Sequence, residues 1–403
     1  TNASATTNSS GTIFIQDAQL NQGLIAQEVI TTTTTALYGG ITDNVPRLDY
    51  TDSSCPALLL EPQRTNLLTQ SEFLGSSSWT KFGTTISANA TTSPDGYVNA
   101  NKVVENTANS SHGTYASASI TSGAVYTWSA FFKAGERTKL RIFAQTGVTP
   151  AARFDLSTGT IISVDAGVTA SIVDYGSGWY RCILSVTSTS TPAYFNWNML
   201  NDAGDVAYTG DGTSGLYAYG FQLEAGSYAT SYIPTYGTSV TRNQDRCVQT
   251  GISDLIGQTE GTLFIDLVLN NPVDSVNRVI SVTGLNWAGN GSFRFDFTAQ
   301  NKIIADVTFE GANSVAIQYV VQFNQGDRYK VALVYKENDC KMYVNGVLAG
   351  VRTSTGGIPA CSQIHLNELG AGFGGPFEAS NHNQVLLFKT RLTDQELIDL
   401  TTI

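Results

Sequence analysis

Charge is scarce in this chain. Only 14% of its 403 residues are Asp, Glu, Lys or Arg, against roughly 25% in an average globular domain. Lys and Arg number 22 against 33 acidic residues, a formal net charge of -11. No basic cluster is present to neutralise a phosphate backbone, which excludes nucleic acid as a partner. No run approaches the roughly 20 apolar residues of a membrane span, so no membrane insertion is expected. The opening TNASATTNSS has neither a basic nor an apolar region, and no signal peptide is expected from it. With three histidines (His112, His365, His382) and no G-x-S-x-G string, a serine triad has little material. The five cysteines are widely spaced and form no C-x-x-C pair, which argues against a zinc or redox site. Most of them are expected to be reduced, buried and inert. Cys340 with Cys361 is the pair considered for a disulfide, because both fall in one expected sandwich.

Gly (38), Tyr (18) and Phe (18), with abundant Thr and Ser, fill the gap left by charge. β-Branched and aromatic residues suit a pleated, half-buried surface, and Gly serves turns, so this is an all-β composition. From residue 58 short strands recur between Gly and Asp-Gly turns: AVYTWSAFFKA, KLRIFAQT, AARFDLSTGTIISV, GSGWYRCILSVTS, PAYFNWNML and GLYAYGFQLEA. That spacing predicts an antiparallel sandwich. In PAYFNWNML, Phe195, Trp197 and Met199 share one face and Tyr194, Asn196 and Asn198 the other. Trp179 and Trp197 are expected in the core. The AGSYATSYIPT that follows the strand Leu216–Glu224 leaves the sheet, since Pro234 cannot donate to a ladder. An exposed connection is therefore expected between Ala225 and Gly251.

A second set of strands follows, from GTLFIDLVLNN to HNQVLLFKTRL. The Asn345-Gly346 pair predicts a type I′ hairpin. LTDQELIDL reads as the helical candidate, with Thr393 as N-cap and Glu396 completing a capping box. The first 57 residues carry short apolar runs without periodicity. They read as an extended arm that packs on a neighbour or subunit, with a disordered tail as the competing reading.

Several separated stretches resemble a recurrent module of bacteriophage tail-fibre and head-fibre-like proteins. They are CPALLLEPQRTNLLTQSEF, SPDGYVNANKVVE, GSGWYRCILSVT and YTGDGTSGLYAYGFQLEAGSYATSYIPT, and together they cover roughly residues 40–245. The resemblance implies a carbohydrate-binding-module-like jelly roll. GDRYKVALVYKENDCKMYVNGVLAG with LLFKTRLTDQELIDL is similar to the concanavalin A/laminin-G-like sandwich. The organisation expected is an arm over 1–57, a jelly roll over 58–240 and a concanavalin-like sandwich over 241–403. What the resemblance implies for function is a non-enzymatic virion protein, assembled in the host cytoplasm. It would be a probable homotrimer that contacts other virion proteins and host surface glycans. The alternative is a secreted polysaccharide-binding or polysaccharide-degrading protein.

Three candidate sites follow. Gly210 to Gly215 match G-x-G-x-x-G, but a strand follows rather than a helix, so the string reads as a turn. Asp202, Asp205 and Asp211 fall within NDAGDVAYTGDG and are the candidate ligands of a structural calcium, which takes clustered oxygens. Trp287, flanked by Asn286 and Asn290 in the Gly-rich TGLNWAGNGS, is a candidate glycan-stacking residue with amides to read hydroxyls. Tyr194, Asn196 and Asn198 form a polar-aromatic strip that reads either as a sugar platform or as a solvated sheet face. The E-x-D-x-x-E string of laminarinase-type enzymes is absent from the sequence, and Glu310, Glu368 and Glu378 stand singly.

Overall fold

The computed structural model describes residues 46–50, 54–145, 150–189, 193–270, 277–283, 292–308, 314–324, 326–353, 357–367 and 380–403. Within them the chain is all-β, with two antiparallel sandwiches and an α-helix at Asp394–Thr401. In the first sandwich one sheet runs in the order Thr160–Val164, Ala151–Asp155, Lys139–Gln145, Ala193–Leu200, His112–Ala118, Thr80–Phe82. The facing sheet runs Val168–Asp174, Trp179–Thr187, Val125–Lys133, Gly215–Ala225, Val98–Glu105, Thr84–Thr92.

Alternation decides the core, because successive side chains of a strand point to opposite faces. Phe195, Trp197 and Met199 turn inward as expected and meet Trp128, Phe132 and Phe221 of the facing sheet. The Trp197 and Phe132 ring centres are 5.0 Å apart, and Trp79 stands edge-on to Phe221 at 4.7 Å. Trp179 is buried too, but in a separate cluster with Phe131 and Tyr219. That cluster is on the outer side of the second sheet, because Cys182 and Leu184 of the same strand fill the core.

The second sandwich packs Leu263, Ile265 and Leu267 against Phe293, Phe295 and Phe297. Phe293 and Tyr335 stack at 4.0 Å. The Asn345-Gly346 turn has φ of 48° and 78°, the left-handed values a type I′ turn requires. Thr393 caps the helix and exchanges both bonds of the capping box with Glu396.

Three expectations change. The jelly roll is expected to open at Leu58, but Leu58 pairs with His382 and Leu60 with Ser380 in the strand Ala57–Leu60. It is therefore a strand of the second sandwich, as is Leu48–Asp49 beside it. The first sandwich is thus inserted between strands of the second. The disulfide considered for Cys340 and Cys361 is not formed, and all five cysteines are free thiols. Cys340 and Cys361 are buried separately, with sulfurs aimed at the carbonyls of Lys336 and Val282 respectively. Burial pushes the Cys361 thiol up to about 12, which makes it inert.

The third change concerns the connection. Segment 226–236 is not a loose linker. Thr230, Ile233 and Thr235 are buried at 1%, 4% and 0% exposure. The segment folds back along the outer side of the second sheet, and its backbone is bonded there by side chains of the sheet.

Candidate binding surface

The signature stretches of the sequence meet at this strap. Gln222 and Glu224 point outward from the strand Gly215–Ala225, away from the core-filling Phe221 and Leu223. Gln222 Oε1 accepts from the Ile233 N–H at 2.7 Å, and Glu224 Oε1 accepts from the Thr230 N–H at 2.8 Å. Asn66, in EPQRTN, donates to the carbonyls of Phe221 and Ile233 and accepts from the N–H groups of Leu68 and Leu223. Buried backbone polar groups must be paired, and these amides and carboxylates do that for a segment whose own ladder pairing is a single bridge, Tyr236 with Gln70. Glu61 anchors the middle of the strap. It accepts from the Ser231 N–H at 2.9 Å and pairs with Arg242 at 2.8 Å and with Arg47, which also binds Asp245.

The acids beneath the strap are spoken for in the same way. Glu72 Oε1 faces the hydroxyls of Tyr219, Tyr232 and Tyr236 at 3.1, 3.2 and 2.9 Å. Burial raises its pKa, with the Tyr236 and Tyr219 bonds opposing and the nearby Asp95 adding to the rise. A cleft of about 430 Å³ opens beside the strap at Gln63, Arg64, Thr65 and Tyr126. Its cation is already engaged: Arg64 lies 3.9 Å from Glu224 and 5.0 Å from the centre of the Tyr228 ring.

The outer face of the first sheet is different. Leu140, Ile142 and Ala144 of the strand Lys139–Gln145 fill the core, so Arg141 and Phe143 point out. The strand register places Arg141 opposite Asn198 on one side and Arg153 on the other. Phe143 lies opposite Asn196, and Asn196 opposite Tyr115. Arg141 lies over the Phe143 ring at 4.2 Å, and Tyr115 meets Tyr194 edge-on at 5.7 Å. This face therefore joins two amides, two guanidinium groups and three aromatic rings. Flat apolar rings beside hydrogen-bonding amides are the chemistry that recognises a sugar's C–H face and hydroxyls.

Of the expected site residues, Tyr194, Asn196 and Asn198 are brought together here. Neither reading offered for them fits unchanged, because Asn196 and Asn198 are 3% and 1% exposed and form a floor rather than a solvated strip. Sequence reasoning missed Arg141, Phe143 and Tyr115. Their alternation is readable in KLRIFAQ and HGTYASA, but the adjacency of those strands to PAYFNWNML is not. Trp287, Asn286 and Asn290 lie outside the described residues.

Asp202, Asp205 and Asp211 are not drawn into one site. Asp205 pairs with Asn201 at 3.0 Å, and the Asp202 backbone carbonyl accepts from Lys139. Asp211 closes its own turn, accepting from the N–H groups of Thr213 and Ser214. The bonds to Ser214, above all, hold its carboxyl well below the usual carboxylate range. Among the described residues no group of three His, Cys, Asp or Glu side chains is placed to hold a metal ion.

Comparisons with known proteins bear on the second sandwich by sequence. Residues 269–397 match a family profile described as the concanavalin A-like lectin/glucanases superfamily. No curated protein matches the sequence. Among solved structures, a heptameric SAP-like pentraxin from Limulus polyphemus is similar over 38% of this chain and 72% of its own, at 14% identity and a TM-score of 0.31. The CBM40 of the Ruminococcus gnavus IT-sialidase, bound to α2,3-sialyllactose, is similar over 38% of this chain and 86% of its own, at 16% identity and a TM-score of 0.29. NanB sialidase from Streptococcus pneumoniae shows 15% identity and a TM-score of 0.32, over 39% of this chain and 26% of its own. The second sandwich is thus concanavalin-like over residues 269–397.

Proposed function

We propose that this chain is a non-enzymatic structural protein of a bacteriophage virion, a fibre, spike or decoration protein that contacts host surface glycans through the outer face of its jelly roll. The observation that carries the glycan reading is the convergence of Tyr194, Tyr115 and Phe143 around Asn196 and Asn198 on one sheet face. The virion reading is supported by the ordered motifs of residues 40–245 that resemble fibre proteins. The strap contributes to it, because EPQRTN and FQLEAGSYATSYIPT fold into one interlocked unit. A homotrimer with further virion partners, assembled in the host cytoplasm, completes the reading. Its support is the apolar content of the N-terminal arm.

Two measurements test it. Mass spectrometry of purified phage particles should detect the chain in stoichiometric amount, and the isolated protein should bind host surface polysaccharide without releasing reducing ends. Absence from particles combined with release of sugar would replace this reading with that of a secreted polysaccharide-degrading protein.

A further inference from the structure

The cation at the centre of this face has no ion-pair partner among the described residues. Arg141 is half-buried, and among the described residues no carboxylate stands within ion-pair distance of it. Its cross-strand neighbour is a second guanidinium, Arg153. The nearest acid, Asp165, is committed elsewhere: it lies 3.8 Å from Arg153 and accepts the Ala151 N–H at 3.0 Å. Asp155, on the next strand, accepts from the Ser157 N–H and hydroxyl.

Part of the hydrogen-bonding capacity of the spot is unspent as well, although Asn198 Nδ2 donates to the Met199 carbonyl. Among the described residues, Arg141 Nε is buried without a hydrogen-bond partner, and so is Asn198 Oδ1 of the residue directly opposite. A buried donor and a buried acceptor lie side by side, and neither satisfies the other. Leaving such groups unpaired costs free energy. Burial and the neighbouring Arg153 charge also lower the Arg141 pKa, so an added negative charge is favoured there.

We propose that Arg141 is the anion-receiving residue of this surface and that the glycan it takes carries a carboxylate, as in a uronic acid or another sugar acid. This rests on the glycan reading above. The guanidinium presents a planar fork that matches carboxylate geometry, and its weak hydration suits a partly dry site stacked on an aromatic ring. Phe143 holds the plane from below, and Tyr194 supplies an apolar wall for the sugar ring.

The test is a binding panel on the full chain. Uronate- and sialate-bearing oligosaccharides are printed beside their carboxyl-reduced counterparts and probed with the natural protein, Arg141→Gln and Arg141→Lys. Melting curves for each protein confirm folding. The expected result is at least a tenfold preference for an acidic member over its reduced form, abolished in Arg141→Gln and only partly kept in Arg141→Lys. The preference should also weaken as salt rises. Should Arg141→Gln not fold, the partial loss in Arg141→Lys carries the same information, since it keeps the charge and removes the fork. Equal binding of acidic and reduced forms, or an acid preference untouched by both variants, would overturn the proposal and leave glycan binding standing. Binding of no member by the natural protein would overturn both.

Discussion

Glu224 holds Thr230 twice, accepting its backbone N–H at 2.8 Å and its hydroxyl at 2.7 Å across a five-residue reversal of the chain. Both residues are buried, and Gln222 Nε2 donates to the same carboxylate at 2.7 Å. Glu224→Ala would strand an N–H, a hydroxyl and an amide. At about 1–3 kcal/mol for a buried group left unsatisfied, the variant should melt several degrees lower. Proteinase K should then cut within 226–236, which the natural protein protects. An unchanged melting temperature would show that the strap does not depend on this carboxylate.

Burial raises the pKa of Glu224, against the opposing bonds from Gln222 and Thr230. Its folded value therefore lies above the ordinary 4.5 of the unfolded chain. The folded state then binds more protons between the two values, and this group's stability contribution is full below 4.5 and lost as pH rises through the folded value. Glu61 has the opposite sign. Burial works against its ionisation, but the charges of Arg242 and Arg47 outweigh it and its pKa falls. Its contribution is present above 4.5 and lost as pH falls through the lowered value. Acidification through that lowered value should release the strap at Ser231, visible as faster amide exchange there. Glu61→Gln should show that exchange already at neutral pH and change little on acidification.

Two aromatic substitutions on one strand separate binding from folding. Tyr194→Ala should weaken glycan binding by about 1–3 kcal/mol and leave the melting temperature nearly unchanged, because its ring lies on the outer face. Trp197→Ala, three residues along and fully buried, should cost about 3–5 kcal/mol of stability through the cavity it leaves. Calorimetry on both variants decides the matter. A destabilised Tyr194→Ala with intact binding would remove that residue from the surface.

Arg47 bridges Glu61 and Asp245, so a chain shortened to begin at Pro46 keeps the junction whole. It loses Ile13, Phe14, Ile15, Leu24, Ile25, Val29 and Ile30, apolar side chains whose burial is worth roughly 1.5–3 kcal/mol each. Light scattering should find the full chain oligomeric and the shortened one monomeric. Equal masses would remove the arm from assembly.

The sequence by itself determined the β-class, the alternating faces of PAYFNWNML, the turn at Asn345-Gly346 and the capped C-terminal helix. Each depends on residues within one strand or turn of one another, where the two-residue period and positive-φ preferences act directly. Only the tertiary structure decided that Ala57–Leu60 joins a strand more than 300 residues later and that AGSYATSYIPT turns back onto the sheet. The same holds for the arrangement that sets Arg141 beside Asn198. Period two tells which way a side chain points but not which strand lies next to it. Neighbours in a sheet are chosen by the packing of the whole core, and a polar residue such as Glu224 looks solvent-facing until the chain that buries it folds over.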